Sequence, residues 1–384
     1  MATRTQVVVC SEVQWHYVRT RKQQLVRRFP ADWPILFLQS YVRGRSNAWR
    51  PQRDGNVTFV TVPVFKSVPN PLLRRLLDFG LVRGLINLAL AVWVWAVRAT
   101  TGFGGRDTVL LVSNIFYGRI LGAMQRRVAI YDCNDNHLAF PGTPVWARGY
   151  LQRLVRGVDA VVVSSNILRE EIDPLRPRRV VEIGNGVDFE LFDAAFRTPR
   201  RVEDMASLPR PCIGYAGALA EWIDLELLAA TAGAIPNGTL VLVGPAVGPA
   251  VRPADLAAAT PNLVWLGAKP HEDLPHYLAA MDVCLIPFRS TALTRGVNPN
   301  KLWEYLAMGK PVVSTDFSPF VHEYAAVVRV GPTPEAFIAE VRAVLAAPAS
   351  AADIEQRRDV ARRHGWDESA SRMVSLIREL TSTS

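Results

Sequence analysis

The feature that most constrains the fold is an alternation of short apolar runs with longer helix-like segments over most of the 384 residues. The runs are rich in Val, Ile and Leu, and near-continuous apolar strands separated by helices are typical of parallel sheets covered on both faces. The predicted strands form a first series at residues 7–10, 35–38, 57–62, 108–112, 128–131, 160–164 and 180–183, and a second at 212–215, 239–243, 263–266, 283–286, 311–314 and 327–329.

Two such series in one chain predict two doubly wound α/β domains of the Rossmann type. The length agrees, because a single hydrophobic core rarely serves a chain of this size. The boundary is expected near residues 190–210, where the sequence is polar, contains proline and has no clear apolar period.

Charge is distributed unevenly along the chain. Up to residue 190 there are 26 Lys and Arg against 14 Asp and Glu, and the remainder holds 18 against 21, so the two parts carry +12 and −3 of the net +9. This asymmetry indicates an anionic partner for the first part, either nucleic acid or an acidic membrane surface. No zinc-finger, helix-turn-helix or RNA-binding signature is present in the sequence, so nucleic acid is not expected as a partner.

The longest uncharged apolar segment covers residues 85–97. Its 13 residues are too few to cross a bilayer as a helix, which takes about 20. The segment either forms a buried core helix or lies in a membrane interface, where Trp93 and Trp95 would sit at headgroup level. The arginines that would then meet anionic headgroups are Arg74, Arg75, Arg83 and Arg98.

The cysteines are widely spaced and have no histidine at metal-ligand spacing. They are expected to be small core residues of a reduced, cytoplasmic protein, and no metal site is predicted. The apolar run at residues 7–9 is too short for the hydrophobic region of a signal peptide, so the chain is expected to stay in the cytoplasm. These cysteines are Cys10, Cys133, Cys212 and Cys284.

The stretch from Asn298 to Pro311 has the pattern of a short helix that ends before a strand. Asn298 is a candidate N-cap, Pro299 suits the first helical position, and Gly309 suits the C-terminal end. The next predicted strand begins at Pro311. This pattern favours a helix whose N-terminus faces a ligand site.

Two charged residues lie three apart near the start of that helix, and they therefore project from one side of it. The amides and the dipole of a helix N-terminus favour a diphosphate, and Lys301 adds a positive charge. Glu304 can accept the hydroxyls of a ribose. The alternative is an ordinary solvated Lys–Glu pair.

This stretch is similar to the C-terminal signature of family-4 glycosyltransferases (glycosyltransferase group 1). Residues 21–25 (RKQQL), 131–137 (YDCNDNH) and 213–224 (IGYAGALAEWID) resemble members of the teichuronic acid and exopolysaccharide biosynthesis type. The likeness covers nearly the whole chain. It implies the GT-B fold, in which two Rossmann-like doubly wound domains face each other across a cleft.

The resemblance also implies a division of labour. Residues 1–195 are expected to form an acceptor-binding domain, and residues 205–365 a domain that binds the nucleotide-sugar. Helically spaced apolar residues after Trp366 predict a helix over residues 366–384, which by analogy with two-domain transferases packs back on the first domain.

Several glycines of the second domain are implied donor-binding residues. Gly214 and Gly217 are expected to follow its first strand, where the lack of a side chain lets backbone amides approach phosphate, although a tight turn also needs glycine. Gly244, Gly267 and Lys269 follow later strands, at the edge where parallel sheets bind ligands, and Lys269 is better explained as a solvent-facing residue. The other implied donor-binding residues are Asn298, Pro299, Lys301, Leu302 and Glu304.

Two departures from the family pattern affect the donor site. Many members have two glutamates separated by seven residues, whereas the position eight before Glu304 is Gly296. The segment after Gly217 also lacks the Arg or Lys that members often use against the diphosphate. The identity of the donor, and retention or inversion of the anomeric configuration, therefore stay open.

The candidate catalytic residues are Asp132, Asp135 and His137, just after a predicted strand of the first domain. In an inverting reaction one carboxylate takes the proton of the acceptor hydroxyl, and Asp135 is favoured because the strand end can hold Asp132. In a retaining reaction the resemblance implies that a donor phosphate oxygen takes it. Closely spaced Asp and Asn also form side-chain turns, and a lone His is often a surface residue.

The predicted function is sugar transfer from a nucleotide diphosphate donor, UDP- or dTDP-linked, to a lipid-linked or glycan acceptor in bacterial cell-surface glycan synthesis. No metal or cofactor is expected, because Lys301 and helix amides can neutralise the leaving diphosphate. The enzyme is expected to be peripheral at the anionic inner face of the cell membrane. The alternatives are a sugar-nucleotide epimerase of the same fold and a non-catalytic nucleotide-binding scaffold.

Overall fold

The computed structural model describes residues 5–16, 19–65, 71–248 and 250–383. The chain divides into two compact units, of which the first comprises Met1–Ile183 and Ala370–Ser384 and the second comprises Gly184–Ser369. Each unit contains one largely or wholly parallel sheet with its own hydrophobic core. All thirteen predicted strands are present.

The first unit is built on an eight-stranded sheet with the order β3-β4-β2-β1-β5-β6-β7-β8. Its pairs are parallel except for β3, which pairs antiparallel with β4. The winding of the chain reverses between β1 and β5, where open parallel sheets bind ligands. The strands are β1 (Gln6–Ser11), β2 (Ile35–Tyr41), β3 (Gln52–Asp54), β4 (Val57–Phe65), β5 (Thr108–Val112), β6 (Val128–Cys133), β7 (Ala160–Val163) and β8 (Val180–Glu182).

Five helices connect these strands and cover the sheet. The core lies between them and the nearly fully buried strands β1, β2, β5, β6 and β7. The helices are α1 (Arg21–Val26), α2 (Pro71–Leu77), α3 (Gly80–Thr100), α4 (Ala147–Gly157) and α5 (Asn166–Ile172).

The second unit contains a six-stranded, wholly parallel sheet with the order β11-β10-β9-β12-β13-β14. Here the winding reverses between β9 and β12. The strands are β9 (Cys212–Ala216), β10 (Thr239–Val243), β11 (Leu263–Trp265), β12 (Val283–Ile286), β13 (Val312–Thr315) and β14 (Val328–Gly331). The helices are α6 (Phe189–Arg197), α7 (Leu225–Gly233), α8 (Pro253–Ala259), α9 (Leu274–Ala279), α10 (Asn300–Ala307), α11 (Pro334–Ala346), α12 (Ala351–Arg362) and α13 (Trp366–Thr383).

The units divide at Ile183 and Gly184, earlier than the boundary predicted near residues 190–210. The reason is that the segment around α6 carries core residues: Phe192 and Met205 are buried in the hydrophobic core of the second unit. From Ala370 onward α13 belongs to the first unit.

Helix α3 contains the long apolar segment, and its core-helix interpretation and its expected length both need correction. It is 21 residues long, and only Leu90, Val94 and Arg98 within it are buried, so the core-helix interpretation is wrong. It is long and apolar enough to cross a membrane, contrary to the estimate from 13 residues. However, β4 before it and β5 after it belong to one sheet, so a spanning α3 would place two strands of that sheet on opposite sides of a bilayer. Helix α3 is therefore a surface helix.

Candidate functional site

Helix α10 begins at Asn300, directly after the extended residue Pro299. The predicted N-cap at Asn298 is therefore wrong, and so is the first helical position assigned to Pro299. Asn298 is buried and its Oδ1 accepts a hydrogen bond from Trp303 Nε1 at 2.9 Å, which commits the side chain to packing. Gly309 follows the helix with φ +64°, the left-handed conformation that favours glycine.

The side chain of Lys301 lies over the turn that follows β9. It is half-buried, and its Nζ is 5.6 Å from the centroid of the Tyr215 ring. A Cβ on Gly217 would overlap with Cε and Nζ of Lys301. Gly217 also has φ +151°, which other residues rarely adopt. The backbone conformation therefore favours glycine at this position, and any larger residue would also displace the end of the Lys301 side chain.

Lys301 has no carboxylate within ion-pair distance in the part of the chain that the structure describes. Burial lowers the pKa of Lys301, and the negative charge of Glu304 partly opposes that effect. Glu304 is itself half-buried on the same helix. A desolvated cation with incomplete compensation is the arrangement that an anionic ligand stabilises.

The turns after β9, β10 and β11 are joined through glycine backbone. Gly217 N donates to Val243 O, and Gly244 N donates to Gly267 O, both at 2.7 Å. Gly244 has φ +143°, and a Cβ there would overlap with the Gly217 carbonyl, while a Cβ on Gly267 would meet nothing within 4 Å. Because the amides of Gly217 and Gly244 are already used and a Cβ at either position would meet protein atoms, close packing of the turns explains these two glycines.

Gly214 does not follow the first strand of the second unit, contrary to the prediction. It lies in the middle of β9, where it pairs with Val241 and Cys284. A Cβ at this position would overlap with the side chain of Met281. Close packing therefore explains this glycine.

Lys269 is a partly exposed residue that is held in an ion pair. Its Nζ is 2.6 Å from Asp204 Oδ2 and 5.3 Å from the centroid of the Tyr277 ring. The hydrogen bond to Asp204 raises the pKa of Lys269. Its positive charge thus already has a partner within the second unit.

The buried face of α10 anchors the helix to the end of β9. Leu302 and Tyr305 are completely buried. The Tyr305 hydroxyl accepts from Ala216 N at 2.9 Å and donates to Ala216 O at 3.2 Å. Tyr305 was missed by sequence reasoning, although an aromatic residue one position after Glu304 is a signal for an anchoring contact. The side chain of Leu302 packs in the core and does not face a ligand site.

Asn300 has a buried Oδ1 without a hydrogen-bond partner among the described residues. A buried acceptor that lacks a donor costs about 1–3 kcal/mol. Asn300 is the first residue of α10 and directly precedes Lys301. A ligand hydroxyl could satisfy it, and no local sequence pattern singles Asn300 out.

Arg289 stands where the winding of the second sheet reverses. Its backbone N donates to Trp222 O at 2.8 Å, and its Nη2 is 3.3 Å from Asp224 Oδ1. The guanidinium group is exposed, as are the next three residues. Arg289 thus places an exposed, ion-paired cation beside the loop that follows β9.

Asp132 is the second-to-last residue of β6 and is fully buried. Arg21 Nε donates to its Oδ1 at 2.9 Å and to its Oδ2 at 3.1 Å. A second buried pair stands beside it, because Lys22 contacts Glu12 and donates to Asn134 Oδ1 at 2.7 Å. Asp132 is therefore a neutralised structural carboxylate.

Asp135 and His137 lie in the loop after β6, and both are half-buried. Asn134 Nδ2 donates to Asp135 Oδ2. The Tyr131 hydroxyl is 3.1 Å from His137 Nδ1, and burial holds the pKa of Tyr131 well above its ordinary value. Tyr131 therefore keeps its proton, and its hydroxyl donates to Nδ1 or accepts from it according to the tautomer of His137. The structure brings all three candidate catalytic residues to the end of one strand.

No group of three or more His, Cys, Asp or Glu in the described ranges is arranged to hold a metal ion. The four cysteines are free and buried, as core residues would be. Burial raises the pKa of Cys10, Cys133 and Cys284 to about 12, so these thiols are unreactive.

Comparison with known sequences identifies a domain within the second unit. Residues 210–347 match the family "Glycosyl transferases group 1". A glycosyltransferase assigned to teichuronic acid biosynthesis in Bacillus subtilis (strain 168) is 28% identical over 261 residues, which cover 62% of this chain and 64% of the relative. A GDP-mannose-dependent alpha-mannosyltransferase of Mycobacterium tuberculosis (strain CDC 1551 / Oshkosh) is 28% identical over 229 residues, with coverages of 57% and 58%. The chain thus spans less than two thirds of the length of these relatives.

Solved structures show the same fold over the whole chain. Sucrose-phosphate synthase from Thermosynechococcus elongatus has a TM-score of 0.75 at 16% identity, covering 99% of this chain and 100% of that one. Trehalose-6-phosphate synthase of E. coli bound with UDP-2-fluoro glucose has a TM-score of 0.70 at 12% identity, with coverages of 98% and 99%. The fold is therefore GT-B. The sequence matches agree with the resemblance to family-4 glycosyltransferases, and the solved structures show the fold that this resemblance implies.

Proposed function

We propose that this GT-B glycosyltransferase moves a sugar from a nucleotide diphosphate donor to a lipid-linked or glycan acceptor in bacterial cell-surface glycan synthesis. The donor, UDP- or dTDP-linked, binds the second unit, and the acceptor binds the first. The likeness to a teichuronic acid glycosyltransferase supports the class of acceptor. The neighbour bound with UDP-2-fluoro glucose supports a uridine donor.

The observation that carries the donor site is the unpaired, half-buried Lys301 above the glycine turns. A diphosphate beside it would supply the missing negative charge, and the N-terminal end of α10 adds its dipole. Arg289 lies near the same edge of the sheet, where a second phosphate oxygen would meet it. The buried Oδ1 of Asn300, at the start of α10, would accept a hydrogen bond from a sugar hydroxyl.

The chemistry follows from charge development on the leaving diphosphate. As the bond from the sugar to the phosphate oxygen breaks, negative charge grows on that oxygen, and Lys301 stabilises it without a metal ion. Metal independence is part of the proposal and predicts full activity in the presence of a chelator.

On the acceptor side, Asp135 is the better candidate base because Asp132 is held in two hydrogen bonds by Arg21. If the enzyme inverts, Asp135 takes the acceptor proton. If it retains, the donor phosphate oxygen takes that proton, and Asp135 with His137 orients the acceptor. The lipid-linked acceptor places the enzyme in the cytoplasm, peripheral to the inner face of the cell membrane.

The test is a thermal-shift screen of UDP, dTDP and GDP with their sugar conjugates. A ligand at about 100 times its dissociation constant stabilises the folded state by about 2.7 kcal/mol. We expect UDP or dTDP to raise the Tm of the wild type, and Lys301→Met to lose that shift. Lys269→Met is the matched control, because it removes the same charge from a lysine already paired with Asp204.

Product analysis then completes the assignment. Transfer to an acceptor supports the proposal, whereas conversion of the donor alone would indicate epimerisation. If no nucleotide shifts the wild-type Tm and no transfer is detected, the proposed function is wrong. An equal shift in wild type and Lys301→Met would remove Lys301 from the donor site.

A further inference from the structure

The first unit carries an exposed apolar stripe along α3. Its members alternate in spacing by four and three residues, so they lie on one face of the helix. The opposite face, with Leu90 and Val94, packs on the core of the unit. The stripe comprises Leu81 (78% exposed), Leu85 (61%), Leu88 (63%), Val92 (57%) and Trp95 (69%).

The stripe continues beyond α3. Leu72 and Leu76 of α2 and Phe79, which precedes α3, are at least half exposed, and Trp93 and Trp49 add two partly exposed indoles. Isolated apolar side chains on a surface are ordinary, but a contiguous patch of this kind marks an interaction surface. A partner that covers this surface must be apolar along the whole length of α3.

Two of the four arginines first assigned to headgroups already have partners within the first unit. Arg83 donates to Leu77 O at 2.5 Å and its guanidinium lies 5.3 Å from the centroid of the Trp146 ring. Arg98 is buried and donates to Phe103 O and Thr108 Oγ1. The side chain of Arg74 is not among those that the structure describes. Arg75 is exposed.

Helix α4 presents a different basic face beside α3. Its apolar residues are buried, whereas Arg148, Arg153 and Arg156 are exposed. The two helices are in contact, because Asn87 Nδ2 of α3 donates to the Tyr150 hydroxyl of α4 at 2.8 Å. The exposed Arg119 adds a further cation, 5.6 Å from the centroid of the Tyr150 ring.

Neither region contains a carboxylate. The sequence has no Asp or Glu between Asp78 and Asp107, nor between Asp135 and Asp159. An apolar helix beside an uninterrupted basic face matches a bilayer, whose acyl region lies next to phosphate headgroups. A second copy of the chain fits less well, because a two-fold contact through this patch would bring the two basic faces together.

We propose that α3 and α4 together form the docking surface for a membrane with anionic lipids. The stripe of α3 inserts below the headgroups, with α3 parallel to the membrane plane, and the arginines of α4 contact lipid phosphates. This inference deepens the membrane location in the proposed function and rests on it, but it does not depend on the donor or on sugar transfer.

The experiment is sedimentation with vesicles of phosphatidylcholine alone and of equal parts phosphatidylcholine and phosphatidylglycerol. Wild type is expected to bind the anionic vesicles much more strongly. Replacing the three α4 arginines with Gln is expected to weaken that binding on the order of 100-fold, about fivefold for each charge. The matched control replaces three exposed arginines of the second unit, Arg252, Arg329 and Arg363, with Gln.

The apolar component is tested with Leu88→Ser combined with Trp95→Ser. Both side chains are exposed, so the wild-type Tm and nucleotide shift should be kept, and binding to both kinds of vesicle should fall. Val247→Ser, at an exposed apolar residue of the second unit, is the control.

Wild-type binding by either variant set would overturn the inference, as would a wild type that sediments with no vesicle. A wild-type dimer that becomes a monomer in the Leu88 and Trp95 variant would show that a second copy covers the surface. The nucleotide shift and transfer to a soluble acceptor are read separately, so failure here is distinguishable from failure of the proposed function.

Discussion

Replacing Gly217 with Ala tests the geometry of the donor site. The new Cβ would overlap with Cε and Nζ of Lys301, and the residue would have to keep φ +151°. A non-glycine residue in such a conformation costs about 1–3 kcal/mol. Since about 1 kcal/mol corresponds to about 2–4 °C in a unit of this size, we expect the Tm to fall by about 2–12 °C.

The substitution should also weaken the binding of UDP or dTDP, because Lys301 must move away from the turn. Calorimetric titration measures that affinity, and differential scanning fluorimetry measures the Tm. Gly233→Ala is the control, because Gly233 ends α7 without positive φ and a Cβ there meets nothing within 4 Å. This control should be neutral or slightly stabilising.

A double variant separates backbone strain from the clash. If Gly217→Ala acts partly through Lys301, then adding Lys301→Ala should recover part of the lost stability, and the two effects should not be additive. Wild-type Tm and wild-type nucleotide affinity in Gly217→Ala would refute the placement of Lys301 over this turn.

Three further predictions concern the charged groups. Burial lowers the pKa of Lys301 below 10.5, so nucleotide affinity should fall as pH rises through that lowered value. Lys301→Arg should abolish this fall. Binding titrations across alkaline pH measure both, and the same pH profile in wild type and Lys301→Arg would contradict the assignment. Asp132→Asn should destabilise the protein by about 3–5 kcal/mol in denaturant unfolding, because the buried Arg21 loses the carboxylate of Asp132. Asp135→Asn should keep stability and lower kcat about 100- to 10,000-fold if the enzyme inverts. A chelator should leave kcat unchanged, and loss of activity that added metal restores would disprove metal independence.

The strands were predictable because apolar runs of three to six residues, separated by longer helix-like segments, are typical of the buried strands of a parallel sheet. β3 was not, since its sequence Gln-Arg-Asp is polar and it forms through pairing with β4 at a sheet edge. The composition of α3 also left its partner undetermined, because a helix buried in protein and a helix exposed to lipid carry the same apolar residues.

The candidate site was predictable in its elements and less so in its contacts. The helix signature located Lys301 and Glu304, but the start of α10 shifted because Asn298 bonds to Trp303. The pairing of Arg21 with Asp132 joins residues 111 positions apart, which no local pattern reveals.

The central claim is that Lys301 and the glycine turns hold the donor diphosphate. A crystal structure with UDP or dTDP bound tests it most directly. We expect a phosphate oxygen within about 3.2 Å of Lys301 Nζ, directly above Gly217. A diphosphate bound at another edge of the second unit, with Lys301 far from any phosphate, would contradict it.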